Sequence, residues 1–249
     1  RRVMDTLYEL QENFPCYMLR GNKEGYMLSG MGEAHPEWDS YPSTVGMLRY
    51  GRAHLTRQDL SFMDSLPTTA CIHIDGMKDI RICHGTQRAV NEKMRPQNRE
   101  NQEILAGVEE EYMLCGHTHK VMSIQEYSKT IWNPGSVGLP IIEEGAMKAQ
   151  FMVLHGDDGA WHPEFVELDY DIERTIQDMH ENGLREVAPY WTRVTERILR
   201  GTRVTHGGVL GRAMELCTQE TGGCNWPEVP EIYWKRAFEE TDVRSDKST

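Results

Sequence analysis

Three short apolar runs in this sequence each stop against a glycine and an amide or imidazole: "CYMLRGN", "DIRICHG" and "YMLCGHTH". Apolar runs of about 4–8 residues bounded by turn signals read as buried strands. Glycine at such an end lets the backbone turn sharply and present the side chain beside it. The residues presented are Asn22, His84, and His117 with His119. Neutral imidazoles and an amide oxygen can share a divalent ion, and in a loop His117 and His119 can reach two adjacent ions. A single histidine at a strand end is more often a hydrogen-bonded structural residue. Taken together and in this order, the loops favour a metal centre.

Around these loops the spacing alternates between strand and helix. Val3, Met4, Leu7, Leu10 and Phe14 sit at helical spacing in residues 1–14, and Pro15 leads into a strand "CYML". "LTRQDLSFMDSLP" predicts a helix capped by Thr56, and "TACIHI" with "DIRICHG" predicts two strands around an Asp75-Gly76 turn. A polar helix over 98–110 feeds "YMLCGHTH". "VMSIQEY", "KTIWNPGSVG" and "AQFMVLHGDDGAWHPEFVELDY" are β segments, the last with a tight hairpin at Asp158-Gly159. From Asp171 the period is helical (Ile172, Ile176, Met179; Trp191, Val194, Ile198; Val209, Leu210, Ala213, Met214, Cys217), and the polar tail "TDVRSDKST" is expected to fray. This order suits a layered α/β (α+β) domain over 1–170 with a helical extension over 171–249.

Composition narrows the partners. With 27 basic against 39 acidic residues the formal charge is -12, which repels phosphate backbones and anionic lipid. Extended nucleic acid and membrane are therefore not expected partners, whereas a small phosphate ester held by metal ions is compatible. No run approaches the length of a membrane span and nothing resembles a signal peptide, so the cytoplasm is the default. The six cysteines show no C-x-x-C spacing and read as reduced, small apolar residues.

"GNKE", "CHG", "GHTH" and "NPGSVG", in this order, resemble the signatures of the calcineurin-like metallophosphoesterase superfamily, most closely its small bacterial phosphodiesterase-type branch. The resemblance covers about residues 1–155. It implies a β-sandwich flanked by helices, with two divalent ions at the strand ends. Asn22, His84 and His117 would bind one ion and His119 the other. A hydroxide bridging the ions would attack phosphorus of a phosphomonoester or phosphodiester in line. Manganese is the leading metal, with iron, zinc or nickel as alternatives.

Two departures qualify that implication. Lys23 stands where the family usually has histidine; an ammonium stabilises developing negative charge but is a poor proton shuttle at neutral pH. Electrostatic assistance, and a preference for good leaving groups, is the expectation. The family's initial Asp-x-His strand and Gly-Asp turn do not precede Arg1, and Asp157 and Asp158 read as hairpin residues. The expectation is a fragment with its first strands missing, weak in metal binding and inactive alone. Asn133 is expected to support the site by hydrogen bonds, and Arg20 and Tyr26 either touch substrate or are ordinary surface residues. His35, His54, His73, His155, His162, His180 and His206 match no motif. Trp191 and Trp234 are expected to anchor helices, and the extension either caps the site or forms a homo-oligomer face. The rival reading is a binding scaffold that keeps this fold without catalysis; a mononuclear or structural metal site ranks last.

Overall fold

The computed structural model describes residues 2–29, 35–142 and 147–245, with residues 242–245 described by backbone alone. In chain order the helices are α1 (Arg2–Asn13), α2 (Asn22–Leu28), α3 (Pro42–Ala53), α4 (Arg57–Ser65), α5 (Asn101–Ala106), α6 (Ile172–Glu181), α7 (Leu184–Val187), α8 (Pro189–Leu199), α9 (His206–Thr221) and α10 (Glu231–Ser245). The strands are β1 (Thr69–Ile72), β2 (Ile80–Cys83), β3 (Tyr112–Leu114), β4 (Val121–Glu126), β5 (Lys129–Pro134), β6 (Ala149–Asp157) and β7 (Ala160–Leu168). These elements form two compact units: Arg1–Leu28, Leu55–Ile141 and Lys148–Leu168 in the first; Ser29–His54, Ile142–Met147 and Asp169–Thr249 in the second. No helix among the described residues is long and apolar enough to cross a membrane.

The first unit is built on a five-stranded sheet in the order β1-β2-β3-β5-β4, beside the β6-β7 hairpin. Alternation sorts its side chains onto two faces. Ile80, Ile82, Tyr112 and Trp132 form one face, and Met152, Leu154, Trp161 and Phe165 of the hairpin pack on it. Tyr112 stacks on Trp132 with ring centroids 5.2 Å apart. Cys83, Met113, Cys115, Met122 and Ile131 form the other face, covered by Ile104 and Leu105 of α5. The result is a mixed α/β sandwich flanked by helices. Local signals hold where they are stereochemically strict: Thr56 and Asp59 make a reciprocal capping box at the start of α4, and the β6-β7 turn places Asp158 at φ 46° and Gly159 at φ 77°, the left-handed pair that a two-residue hairpin requires.

The predicted strand "CYML" is not one. Residues 15–21 have no regular secondary structure, and Tyr17 is 54% exposed. The segment runs past the start of β1, where Arg20 N–H donates to the Pro67 carbonyl at 2.8 Å. Proline has no N–H to return, so a ladder cannot propagate through that point. Leu19 alone of this run packs against the hairpin-side core. The polar helix expected over 98–110 is confined to α5.

The second unit contains α3 and α6 to α10. Asp171 caps α6 by accepting from Arg174 N–H, Thr205 caps α9, and Gly222 at φ 82° ends α9. Trp234 is 1% exposed and its indole N–H donates to Thr44 Oγ1 at 2.9 Å. Helix α10 continues to Ser245, so the expected fraying does not begin at Thr241; residues 246–249 lie outside the described residues. Cys217 and Cys224 are free thiols.

Candidate metal centre

Strands β2, β3 and β5 are mutually parallel, with Ile82 in register with Leu114 and Leu114 with Trp132. Their carboxyl ends therefore share one edge, the usual place for a ligand site on a sheet with parallel strands. The chain leaves that edge through His84 after β2, through Gly116–His119 after β3, and through Asn133 at the end of β5. Strand β1 is antiparallel and pairs Thr69 with Cys83, so it begins at the same edge. The Arg20–Pro67 bond two residues earlier brings Gly21 and Asn22 there. Asn22 is the first residue of α2 rather than a strand tip.

His84 Nε2 lies 3.0 Å from Asn22 Oδ1, and the His84 and His117 rings meet edge to face with centroids 5.3 Å apart. The approach depends on glycine: a Cβ on Gly116 would sit 3.3 Å from the His84 carbonyl, which accepts Gly116 N–H at 2.7 Å. His117 and His119 both adopt left-handed backbone, φ 62° and 57°, at a cost of about 1–2 kcal/mol each for non-glycine residues. Asn133, fully buried, holds this loop: its amide N–H groups donate to the Gly116 carbonyl at 2.7 Å and Thr118 Oγ1 at 3.0 Å, and its oxygen accepts Gly135 N–H at 3.0 Å. His119 Nδ1 donates to the Leu139 carbonyl at 2.7 Å, which leaves Nε2 as the nitrogen with a lone pair.

Burial favours the neutral form of the His84 and His117 rings. Burial lowers the pKa of His84, opposed by Glu24 and assisted by His119. Burial likewise pushes His117 down to about 4, with His84, Lys93 and His119 adding to the effect and a hydrogen bond to the Asn91 backbone opposing it. Lys23 is exposed as a whole residue, yet its ammonium lies 5.7 Å from the Tyr26 ring centroid, and desolvation lowers its pKa against the pull of Glu24. Arg20 is turned to Asp64 in a 3.0 Å ion pair. The sequence reading passed over Glu24, Asn91, Lys93 and Leu139. Glu24 carried a signal, its place three residues after a glycine at a helix start; the others act through proximity alone.

The donors at this edge fit a divalent ion in part. Asn22 supplies an amide oxygen, and His84 and His117 supply imidazoles that are uncharged at neutral pH, as ligation requires. Among the described residues no group of three or more His, Cys, Asp or Glu side chains could hold a metal ion, so the donors brought together at this edge are the Asn22 amide and the His84 and His117 imidazoles.

A model of the calcineurin-like phosphoesterase superfamily domain matches residues 2–159. Among solved structures, a hypothetical protein from Pyrococcus horikoshii OT3 superposes with a TM-score of 0.63 at 20% identity, covering 77% of this chain and 78% of that one. A metallophosphoesterase from Sphaerobacter thermophilus does so with a TM-score of 0.56 at 19% identity, covering 80% and 82%. At these identities the likeness is one of fold. No curated protein matches the sequence.

Proposed function

This chain belongs to the calcineurin-like phosphoesterase superfamily, and we propose that it is a metal-dependent hydrolase of a small phosphomonoester or phosphodiester. The observation that carries this reading is the meeting of Asn22, His84 and His117 at one sheet edge, 3.0 Å and 5.3 Å apart as given above. Asn22, His84 and His117 would hold one divalent ion and His119, through Nε2, a second; manganese suits this mixture of imidazole and oxygen donors. Bound ions would neutralise charge on the phosphoryl oxygens and supply an activated water nucleophile.

The chain's own residues do the rest. Lys23, next to Asn22 in the chain and partly desolvated, would supply an ammonium that stabilises negative charge developing on the ester. Asn133 keeps His117 and His119 in their costly backbone conformations. The charge of -12 disfavours extended nucleic acid and is compatible with a small ester whose charge bound ions would neutralise.

The test is hydrolysis of aryl phosphodiesters and monoesters by the protein with added manganese, beside His117→Ala and Lys23→Ala. Hydrolysis that needs both manganese and His117 supports the reading, and Lys23→Ala should lower turnover about 10–100-fold with manganese retained. A folded protein that neither hydrolyses the esters nor retains metal overturns it. That outcome would favour the binding scaffold, a reading supported by the finding that among the described residues no group of three or more His, Cys, Asp or Glu side chains could hold a metal ion.

A further inference from the structure

Six residues separate Cys217 from Cys224, and the end of α9 folds the two back on each other. The helix stops at Gly222, φ 82°, whose N–H donates to the Thr218 carbonyl at 2.9 Å. Thr221 Oγ1 lies 2.8 Å from the Cys217 carbonyl and 2.7 Å from the Gly223 carbonyl, and Cys217 Sγ lies 3.9 Å from that same Gly223 oxygen. The next residue is Cys224, whose thiol has Cys217 as its hydrogen-bond partner. Cys217 is 4% exposed, whereas Cys224 is half-buried. A Cβ built on Gly222 or Gly223 would meet nothing within 4 Å, so the turn between the thiols has open space in which to adjust. Cys83 and Cys115 also feel each other's charge, but both lie inside the sheet core, where a dissolved oxidant does not reach them.

We propose that Cys217 and Cys224 form a reversible disulfide by exchange with a small disulfide such as oxidised glutathione, which makes the connection between α9 and α10 a redox-sensitive joint. The more exposed Cys224 reacts first. Its thiolate attacks one sulfur of the small disulfide, the external S–S bond breaks, and one glutathione leaves as the thiol, taking up the proton that Cys224 lost. Cys217 then gives up its proton and attacks the Cys224 sulfur, the mixed disulfide breaks, and the second glutathione leaves as the thiol. Two protein thiols are oxidised and one small disulfide is reduced. Burial, reinforced by the hydrogen bond and charge of Cys217, pushes the Cys224 thiol up to about 11, so little thiolate is present at neutral pH and closure is slow. The same scarcity leaves the reduced pair without the thiolate stabilisation that makes a disulfide easy to reduce, so the bridge persists once formed. It would close an eight-residue ring, Cys217–Cys224, and tie the end of α9 to the segment that enters α10.

Trypsin releases both cysteines in one peptide, Ala213–Lys235, so the full chain can be equilibrated with oxidised and reduced glutathione, quenched by alkylation and read by mass spectrometry. The closed peptide lacks both alkyl groups and both thiol hydrogens. In the folded protein the equilibrium constant for closure should exceed that of the urea-unfolded chain by at least about tenfold, because the fold raises the effective concentration of one thiol at the other. The closed protein should melt about 5 °C above the reduced one. Cys217→Ser should stop the reaction at a glutathione adduct on Cys224, and Cys224→Ser should leave Cys217 unmodified, with the exposed Cys16 reporting in every sample that the oxidant was active. Wild-type peptide alkylated at both positions while Cys16 is fully converted, a lasting adduct on wild-type Cys224, or closure no more favourable in the folded than in the unfolded chain overturns the proposal.

Discussion

In the helical unit His180 Nε2 lies 2.7 Å from Glu196 Oε1, a carboxylate of a buried residue. His206 Nε2 lies 2.9 Å from Thr195 Oγ1 and 3.1 Å from the Trp191 carbonyl, with its ring stacked on Trp191 at 4.5 Å. In the sandwich unit His84 and His117 face each other, and burial lowers both pKa values, against Glu24 at His84 and with imidazoles and Lys93 adding to it at His117. The first pair is absorbed by packing partners, an oxygen for each Nε2. The second is held below its ordinary pKa by burial, with His84 Nε2 beside the Asn22 amide oxygen and the two rings in contact. Histidine content does not separate the two regions; the company each ring keeps does.

The sharpest way to break that contrast is to delete one ring from each side. His117→Ala should reduce manganese-dependent hydrolysis more than about a hundredfold, since even the outer partners of metal ligands are worth about 10–100-fold, and should move the melting temperature little. His180→Ala should leave hydrolysis intact and cost about 1–3 kcal/mol of stability, because Glu196 loses a hydrogen-bond partner inside the protein. Equal loss of activity in both variants would end the distinction. Asn133→Ala should combine the two phenotypes: about 1–3 kcal/mol in urea unfolding from acceptors stranded in the interior, with weaker manganese binding as His117 and His119 relax.

A smaller effect concerns acid. Both His84 and His117 have folded pKa values below the ordinary 6.5, His117 at about 4. Below 6.5 the unfolded chain therefore takes up protons that the folded chain refuses. Their contribution to stability is complete above that value and declines as the pH falls toward about 4. Melting temperatures near pH 7 and near pH 5 should differ less in a His84→Gln, His117→Gln double variant than in the wild type; an unchanged difference would show that neither ring is held neutral. Smallest of all, Gly159→Ala should cost about 1 kcal/mol for a left-handed turn residue, read as a shift in melting temperature with no change in hydrolysis.

Legibility followed the range of the interaction. The Thr56 cap, the Asp158-Gly159 hairpin and the helices after Asp171 were readable because each obeys a rule spanning a few residues. "CYML" was misread because an apolar run becomes a strand only when a neighbour offers a ladder, and Pro67 interrupts the one beside it. Asn22 was expected at a strand tip and instead opens α2, so its position is set by a helix start. Lys93 and Asn91 could not have been found, since nothing local ties them to His117.

By itself the sequence determined which residues turn, cap and alternate, and in what order the glycine-flanked donors follow one another. Those properties reside in backbone sterics and side-chain period, which act over a few positions. The tertiary structure decided that β2, β3 and β5 run parallel and so gather His84, His117 and Asn133 at one edge. It also decided that the imidazoles sit beside each other in surroundings that keep them uncharged. Strand pairing is chosen by the burial of both faces of the sheet at once, a sum over residues far apart in the chain, and no short motif contains that sum.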